Sequence, residues 1–428
     1  MIRRAGFFTA GLLTAAACLI VAPAPIRADD RDDGPSATIS GEYIVEVDDA
    51  RRIEKLNALI GGTTDPEPLF PGARIFLLTA PTSDAARTVE VIRNVSGVVH
   101  VQPNVGGTLA EFTGGKRYAW ADVRPADPTL PASSYTVAQA GLGNAGLPVG
   151  PLPVAAQPVV AVLDTGIDRK HPDLAGRIHP GGIDVVDGDA DPSEVADGID
   201  NGGEGLVDEA YGHGTYVAGI IALVAPEARI LPIRVLDSDG DSNAWLIARG
   251  LVEARARGAG IINMSLGAGN LGRILEQLVK DAAEDGIVIV ASAGNDGDES
   301  RRWPAAYPEV ISVAAYDGRT GTPADFTNRG SWVQLAAPGV DIDSTYPGGR
   351  YARWGGTSAS APVVAGAAAL IRQVAPRMPA DDVAGLLYSH ARQGKPFDFT
   401  GHGGLNVAAA LVIALEKAAD FGGRPLAA

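Results

Sequence analysis

The chain has 428 residues, of which 46% are hydrophobic and 20% charged, with a formal net charge of −16 and a sequence pI near 4.8. That composition supplies enough apolar material for a large core and rules out global disorder, so one large folding unit with a small one beside it is expected. The negative balance opposes nucleic acid and anionic membrane surfaces as partners, because both demand a positive field.

Met1-Ile2-Arg3-Arg4 precedes an apolar run over residues 5–22, followed by Ala24-Pro25-Ile26-Arg27-Ala28 and then Asp29-Asp30. A basic start, an apolar middle and a small residue before a polar stretch make a secretory signal over residues 1–28, removed after Ala28. Export to the periplasm or the medium, with no membrane attachment afterwards, is the expectation. A membrane-anchoring helix is the other reading of a run this long. The sole cysteine, Cys18, lies in this segment; as a lipid-attachment site it lacks the leucine usual three positions upstream. With the segment removed no cysteine remains, which excludes disulfides and thiol chemistry.

After an acidic stretch, Glu42-Tyr43-Ile44-Val45-Glu46-Val47 alternates like a half-buried strand. Ile53, Leu56, Leu59 and Ile60 fall at helical spacing within residues 52–60. Strand-like runs at 73–79 and 98–101, with an amphipathic helix over 85–95 between them, complete a small α/β unit assigned to residues 36–105. Pro, Gly and polar residues dominate from 103 to 150, so 106–150 reads as a linker and N-terminal extension of the next domain. That domain, 151–418 with a short tail at 419–428, alternates apolar runs at 159–163, 229–236, 260–265, 286–292, 310–315 and 333–336 with helical patterns at 215–223, 243–257, 271–285, 358–374, 380–390 and 406–418. Near-continuous Val and Ile runs are buried on both faces, which predicts a doubly wound α/β fold: a mostly parallel sheet with helices on both sides.

Val159-Val160-Ala161-Val162-Leu163-Asp164 ends a strand on a carboxylate, at the edge where open α/β sheets place their sites; alone, such an Asp is ordinarily a turn or helix cap. Gly212-His213-Gly214-Thr215 sets one of six histidines between glycines at a helix start, where another backbone can approach closely. Gly355-Gly356-Thr357-Ser358-Ala359-Ser360-Ala361-Pro362 opens an Ala-rich helix, with Pro362 early enough to be tolerated. Orphan N–H groups there favour a developing oxyanion, although Ser358 alone could be a plain N-cap.

Together these segments resemble the Asp, His and Ser motifs of the subtilisin-like serine protease family, in that family's order and unlike the chymotrypsin-like or α/β-hydrolase orders. The resemblance runs from about residue 159 to about residue 410, closing with Gly401-His402-Gly403-Gly404-Leu405-Asn406. It implies a serine endopeptidase with Asp164, His213 and Ser358 as its triad and no cofactor in the chemistry. Ala291-Ser292-Ala293-Gly294-Asn295 resembles the oxyanion-hole loop, implying Asn295 as a donor with Gly294 beside it; Gly-Asn is also a common turn pair. Asn263-Met264-Ser265-Leu266-Gly267 resembles the strand that pairs with extended substrate, implying that Ser265, Leu266 and Gly267 bind it. Tyr43-Ile44-Val45 and Gly97-Val98-Val99-His100-Val101-Gln102-Pro103-Asn104 resemble the family's inhibitory propeptide, a small ferredoxin-like domain. That implies a self-processing zymogen whose partners are protein or peptide substrates and its own propeptide, expected as a monomer. A permanent accessory domain is the alternative.

The sequence departs from the family pattern at Ala359 and Ser360, which are small changes, and in an acidic insertion over residues 184–209. Closely spaced carboxylates among glycines suit Ca²⁺, with Asp197, Asp200, Glu204 and Asp208 as structural ligands; a solvated acidic loop is the competing reading. An EF-hand is excluded, because Tyr211 stands where it requires Glu. If Trp303-Pro304-Ala305-Ala306-Tyr307-Pro308 matches the family's pocket-forming segment, Arg302 falls at the base of the first specificity pocket. Preference for an acidic residue before the cut then follows; an Arg302 directed to solvent and an apolar preference is the alternative.

Overall fold

The computed structural model describes residues 38–423 apart from 63, 82–83, 110–129, 131, 149 and 201–206. The expected signal segment, Cys18 and Glu204 lie outside the described residues. The first sheet contains β1 (Thr38–Val47), β2 (Glu67–Pro68), β3 (Ile75–Thr79) and β4 (Val98–Leu109), with α1 (Ile53–Leu59) after β1 and α2 (Ala85–Arg93) after β3. Neighbours run antiparallel in the order β4-β1-β3-β2, which makes a βαββαβ unit of the ferredoxin-like kind. Alternation sorts its side chains. Tyr43, Val45, Phe76 and Leu78 pack with Ile53, Leu56 and Ile92 of the two helices, while Ile44, Ile75 and Leu77 on the other face join the core of the larger domain.

The larger domain follows in chain order as β5 (Val159–Asp164), β6 (Ile183–Asp184), α3 (His213–Val224), β7 (Arg229–Arg234), β8 (Asp241–Asn243), α4 (Ala244–Ala256), β9 (Ile261–Met264), β10 (Leu266–Gly267), α5 (Gly272–Glu284), β11 (Val288–Ser292), β12 (Val310–Tyr316), β13 (Leu335–Pro338), β14 (Ile342–Tyr346), β15 (Arg350–Trp354), α6 (Thr357–Val374), α7 (Ala380–Ser389) and α8 (Val407–Glu416). Its main sheet has seven parallel strands in the order β13-β12-β11-β9-β5-β7-β6. Val160, Val162, Val288 and Val290 face α3, α6 and α8. Ala161, Leu163, Ile262 and Ile289 face α4 and α5. Both faces are therefore covered, which is why these strands read as continuous apolar runs. Residues 235 and 236, expected in β7, turn instead over the end of β5, where both backbone N–H groups donate to the Asp164 carbonyl at 2.9 and 3.2 Å.

The largest difference from the sequence expectation is β4. Residues 106–109, read as the start of a linker, continue the strand into the larger domain. Gly106, Gly107 and Thr108 pair antiparallel with β8, and Thr108 and Leu109 pair antiparallel with β10. Strands far away in sequence supply these hydrogen bonds, so no local periodicity marks the segment. The same strand holds the two units together through side chains. Asn104 Oδ1 accepts from Trp245 N at 3.1 Å and Gln102 Oε1 from Ile274 N at 3.2 Å. These satisfy N–H groups that the starts of α4 and α5 leave without intrahelical partners.

Candidate active site

β5 delivers Asp164 at its C-terminal end and α3 begins on His213. Asp164 Oδ1 accepts from His213 Nδ1 at 2.7 Å and from Thr165 N at 2.8 Å, and both side chains are buried. Because a carboxylate only accepts, this contact fixes the proton of the neutral imidazole on Nδ1. Gly214 permits the approach: a Cβ there would lie 2.1 Å from Gly166 O and 3.1 Å from Asp164 Cβ.

Ser358 is the second residue of α6, and its Oγ is buried with no hydrogen-bond partner among the described residues. Leaving a buried hydroxyl unpaired costs about 1–3 kcal/mol, a cost that makes sense where the group must act on something else. Pro362, expected to be early enough in the helix to be tolerated, is its sixth residue, so the N–H that would bond the Ser358 carbonyl is missing. Ser265 Oγ donates to that carbonyl instead, at 3.1 Å, while itself accepting from Asn263 Nδ2 at 3.0 Å. Ser265 thus lies against the nucleophile's own backbone. Ser360, one of the departures noted above, is buried and donates to Ala337 O at 3.1 Å.

Asn295 is oriented by Thr357. Its Oδ1 accepts from both Thr357 N and Thr357 Oγ1 at 2.9 Å, and Thr357 Oγ1 accepts from Gly294 N at 3.1 Å. A backbone N–H can only donate, so the amide oxygen must face Thr357 and the amide nitrogen must face away from it. That Nδ2 is buried and has no partner among the described residues. Sequence reasoning named Asn295 and missed Thr357, whose hydroxyl has no motif signal of its own. Leu266 and Gly267, expected to pair with extended substrate, pair here with Leu109 and Thr108 of β4.

One expectation needs correction. Arg302 is neither a free cation for an acidic side chain nor directed to solvent: its Nε and Nη2 donate to the two oxygens of Asp296 at 2.8 and 2.6 Å. Two of the expected calcium ligands, Asp208 and Asp197, accept backbone N–H groups of their own loop. Asp208 Oδ1 accepts from Asp197 N at 2.9 Å and Gly198 N at 3.2 Å, and Asp197 Oδ1 from Ile199 N at 2.8 Å. Among the described residues no three metal-ligating side chains converge, and Glu204, the fourth ligand expected, lies outside them.

The acidic insertion instead contributes Glu194, which sequence reasoning did not separate from its acidic neighbours. The residue is part-buried, and its carboxyl is enclosed by the segments that carry Asp164 and His213. It accepts from Thr215 N at 2.9 Å, Gly212 N at 3.1 Å and Thr165 Oγ1 at 3.2 Å, bracing both the start of α3 and the turn after Asp164. Burial pushes this carboxyl up to about 7 from its ordinary 4.5, against the two backbone donors and with help from the Asp164 charge. Between those two values the folded protein holds a proton the unfolded chain has released. The Glu194 contribution to stability is therefore full below pH 4.5 and is lost as pH rises to about 7. In a Ser358→Ala background, denaturation midpoints across pH 4–8 should fall through this window, and Glu194→Gln should flatten the fall. A slope unchanged by that substitution would assign it to other groups.

A family model described as the Subtilase family, Peptidase_S8, matches residues 155–404. A thermophilic serine proteinase of Bacillus sp. (strain AK1) is 42% identical over 222 residues, which are 50% of this chain and 51% of that protein. Thermitase of Thermoactinomyces vulgaris is 42% identical over 224 residues, 50% of this chain and 74% of its own. The chain thus spans about half the length of the first relative and three quarters of the second. Among solved structures, fervidolysin from Fervidobacterium pennivorans, a keratinolytic enzyme related to subtilisin, matches with a TM-score of 0.69 at 25% identity, over 88% of this chain and 61% of that one.

Proposed function

Since the chain belongs to the subtilase family, we propose that it is a secreted serine endopeptidase, made as a self-processing zymogen and acting on proteins or peptides through an acyl-enzyme on Ser358. The observation that carries this reading is the buried 2.7 Å contact between Asp164 and His213, together with Ser358 Oγ and Asn295 Nδ2, both buried and without a partner among the described residues. With Nδ1 held by Asp164, Nε2 of His213 takes the Ser358 hydroxyl proton as Oγ attacks the scissile carbonyl, then returns it to the leaving amine. Asp164 stabilises the imidazolium formed between those steps. Asn295 Nδ2 donates to the oxyanion. Water, activated by the same imidazole, releases the acyl group.

The zymogen part of the proposal is supported by β4, whose residues 106–109 lie antiparallel between β8 and β10 as a substrate strand would. Secretion is supported by the composition of residues 1–28 alone. Intact-mass analysis of the chain expressed without residues 1–28 tests both the chemistry and the processing. Wild type should shed its N-terminal unit with time and hydrolyse added peptide, and Ser358→Ala should do neither. Folded wild type that behaves like Ser358→Ala in both assays would overturn the proposal.

A further inference from the structure

Ser265, which precedes Leu266-Gly267-Ala268, holds the Ser358 carbonyl, and Asn295 of Gly294-Asn295-Asp296 is held by Thr357, so these two segments form walls beside the nucleophile. Trp303 bridges to the first wall, exchanging two backbone hydrogen bonds with Ala268 at 2.9 and 3.0 Å. Arg302, the preceding residue, reaches the second wall. A Cβ built on Gly294 would lie 2.8 Å from Arg302 Cγ, so the arginine stem fills the space that the glycine leaves open. Beyond the stem, the guanidinium meets Asp296 at two points, with side chains 14% and 7% exposed. Asn328 locks the pair by donating its Nδ2 to Asp296 Oδ2 and accepting from Asp296 N with its Oδ1, both at 2.8 Å.

We propose that the locked Arg302–Asp296 pair occupies the pocket for the residue before the scissile bond, so that the peptidase cleaves after small side chains. This rests on the peptidase reading given above. A glutamate or aspartate entering the pocket would have to break a two-point charge-assisted pair and leave Asp296 buried without compensation. A leucine or phenylalanine would have to push the arginine stem into water. Alanine or serine requires neither change.

The test is kcat/KM of the self-processed enzyme on quenched peptides differing only in the residue before the cut, together with the mass of the released N-terminal fragment. Ala and Ser should exceed Leu, Phe and Glu by tenfold or more, and the fragment should end on a small residue. Arg302→Gly should raise Leu and Phe at least tenfold relative to Ala. Wild type that prefers Leu or Phe would show an open pocket, and one that prefers Glu would show a free cation; either result overturns the proposal, as does a fragment ending on a bulky residue. Hydrolysis of no peptide at all would instead bring down the peptidase reading beneath it. The wild-type profile decides the matter even if Arg302→Gly fails to fold.

Discussion

Replacing Ser358 with Ala is expected to lower kcat/KM for peptide hydrolysis by about 10⁶-fold, a magnitude taken from subtilisin's own triad. The loss is this large because the hydroxyl is the atom that forms the covalent bond, so removing it also removes the purpose of the imidazole and of the carboxylate behind it. His213→Ala should cost nearly as much, and the double variant no more than either alone, since the two groups act as one unit. Steady-state rates on a single peptide, with folding verified by circular dichroism, measure this. Losses that add as free energies would mean that Ser358 and His213 act separately, contrary to the Asp164–His213 geometry.

Asn295→Ala should lower kcat by about 10²- to 10³-fold while leaving KM within a few fold. The amide nitrogen is held in place before substrate arrives, because Thr357 donates two hydrogen bonds, from N and Oγ1, to the amide oxygen at 2.9 Å. A donor fixed in this way gains most where negative charge develops, hence the effect on kcat rather than on ground-state binding. Asn295→Asp should be at least as damaging, since a carboxylate has no proton to donate and would repel the oxyanion. A KM effect larger than the kcat effect would instead make Asn295 a ground-state binding residue.

Much of this arrangement is legible in the sequence because it is local. Asp164 closes an apolar run, His213 sits between glycines at a helix start and Ser358 opens an Ala-rich helix, and each signal spans only a handful of residues. The doubly wound sheet is legible for the same reason, since Val160 and Ala161 face opposite helical layers and both read as apolar. What the sequence hides depends on partners distant along the chain. Residues 106–109 form a strand only because β8 and β10 flank them. Glu194 resembles any other carboxylate of the insertion until Gly212 and Thr215 aim their N–H groups at it. Arg302 reads as a free cation until Asp296 and Asn328 close around it. Ser265 reads as part of a substrate strand, and its bond to the Ser358 carbonyl becomes visible only once Pro362 is seen to lack the missing donor.

A fluorophosphonate reagent reacts with a serine hydroxyl that an adjacent base has activated, and so reports on the chemistry without depending on the choice of substrate. Treated with it, the self-processed protein should gain one adduct, peptide mapping should place that adduct on Ser358, and peptide hydrolysis should stop in proportion to labelling. An enzyme that hydrolyses peptide yet takes no label, or takes it on a residue other than Ser358, would contradict the assignment of Ser358 as the nucleophile.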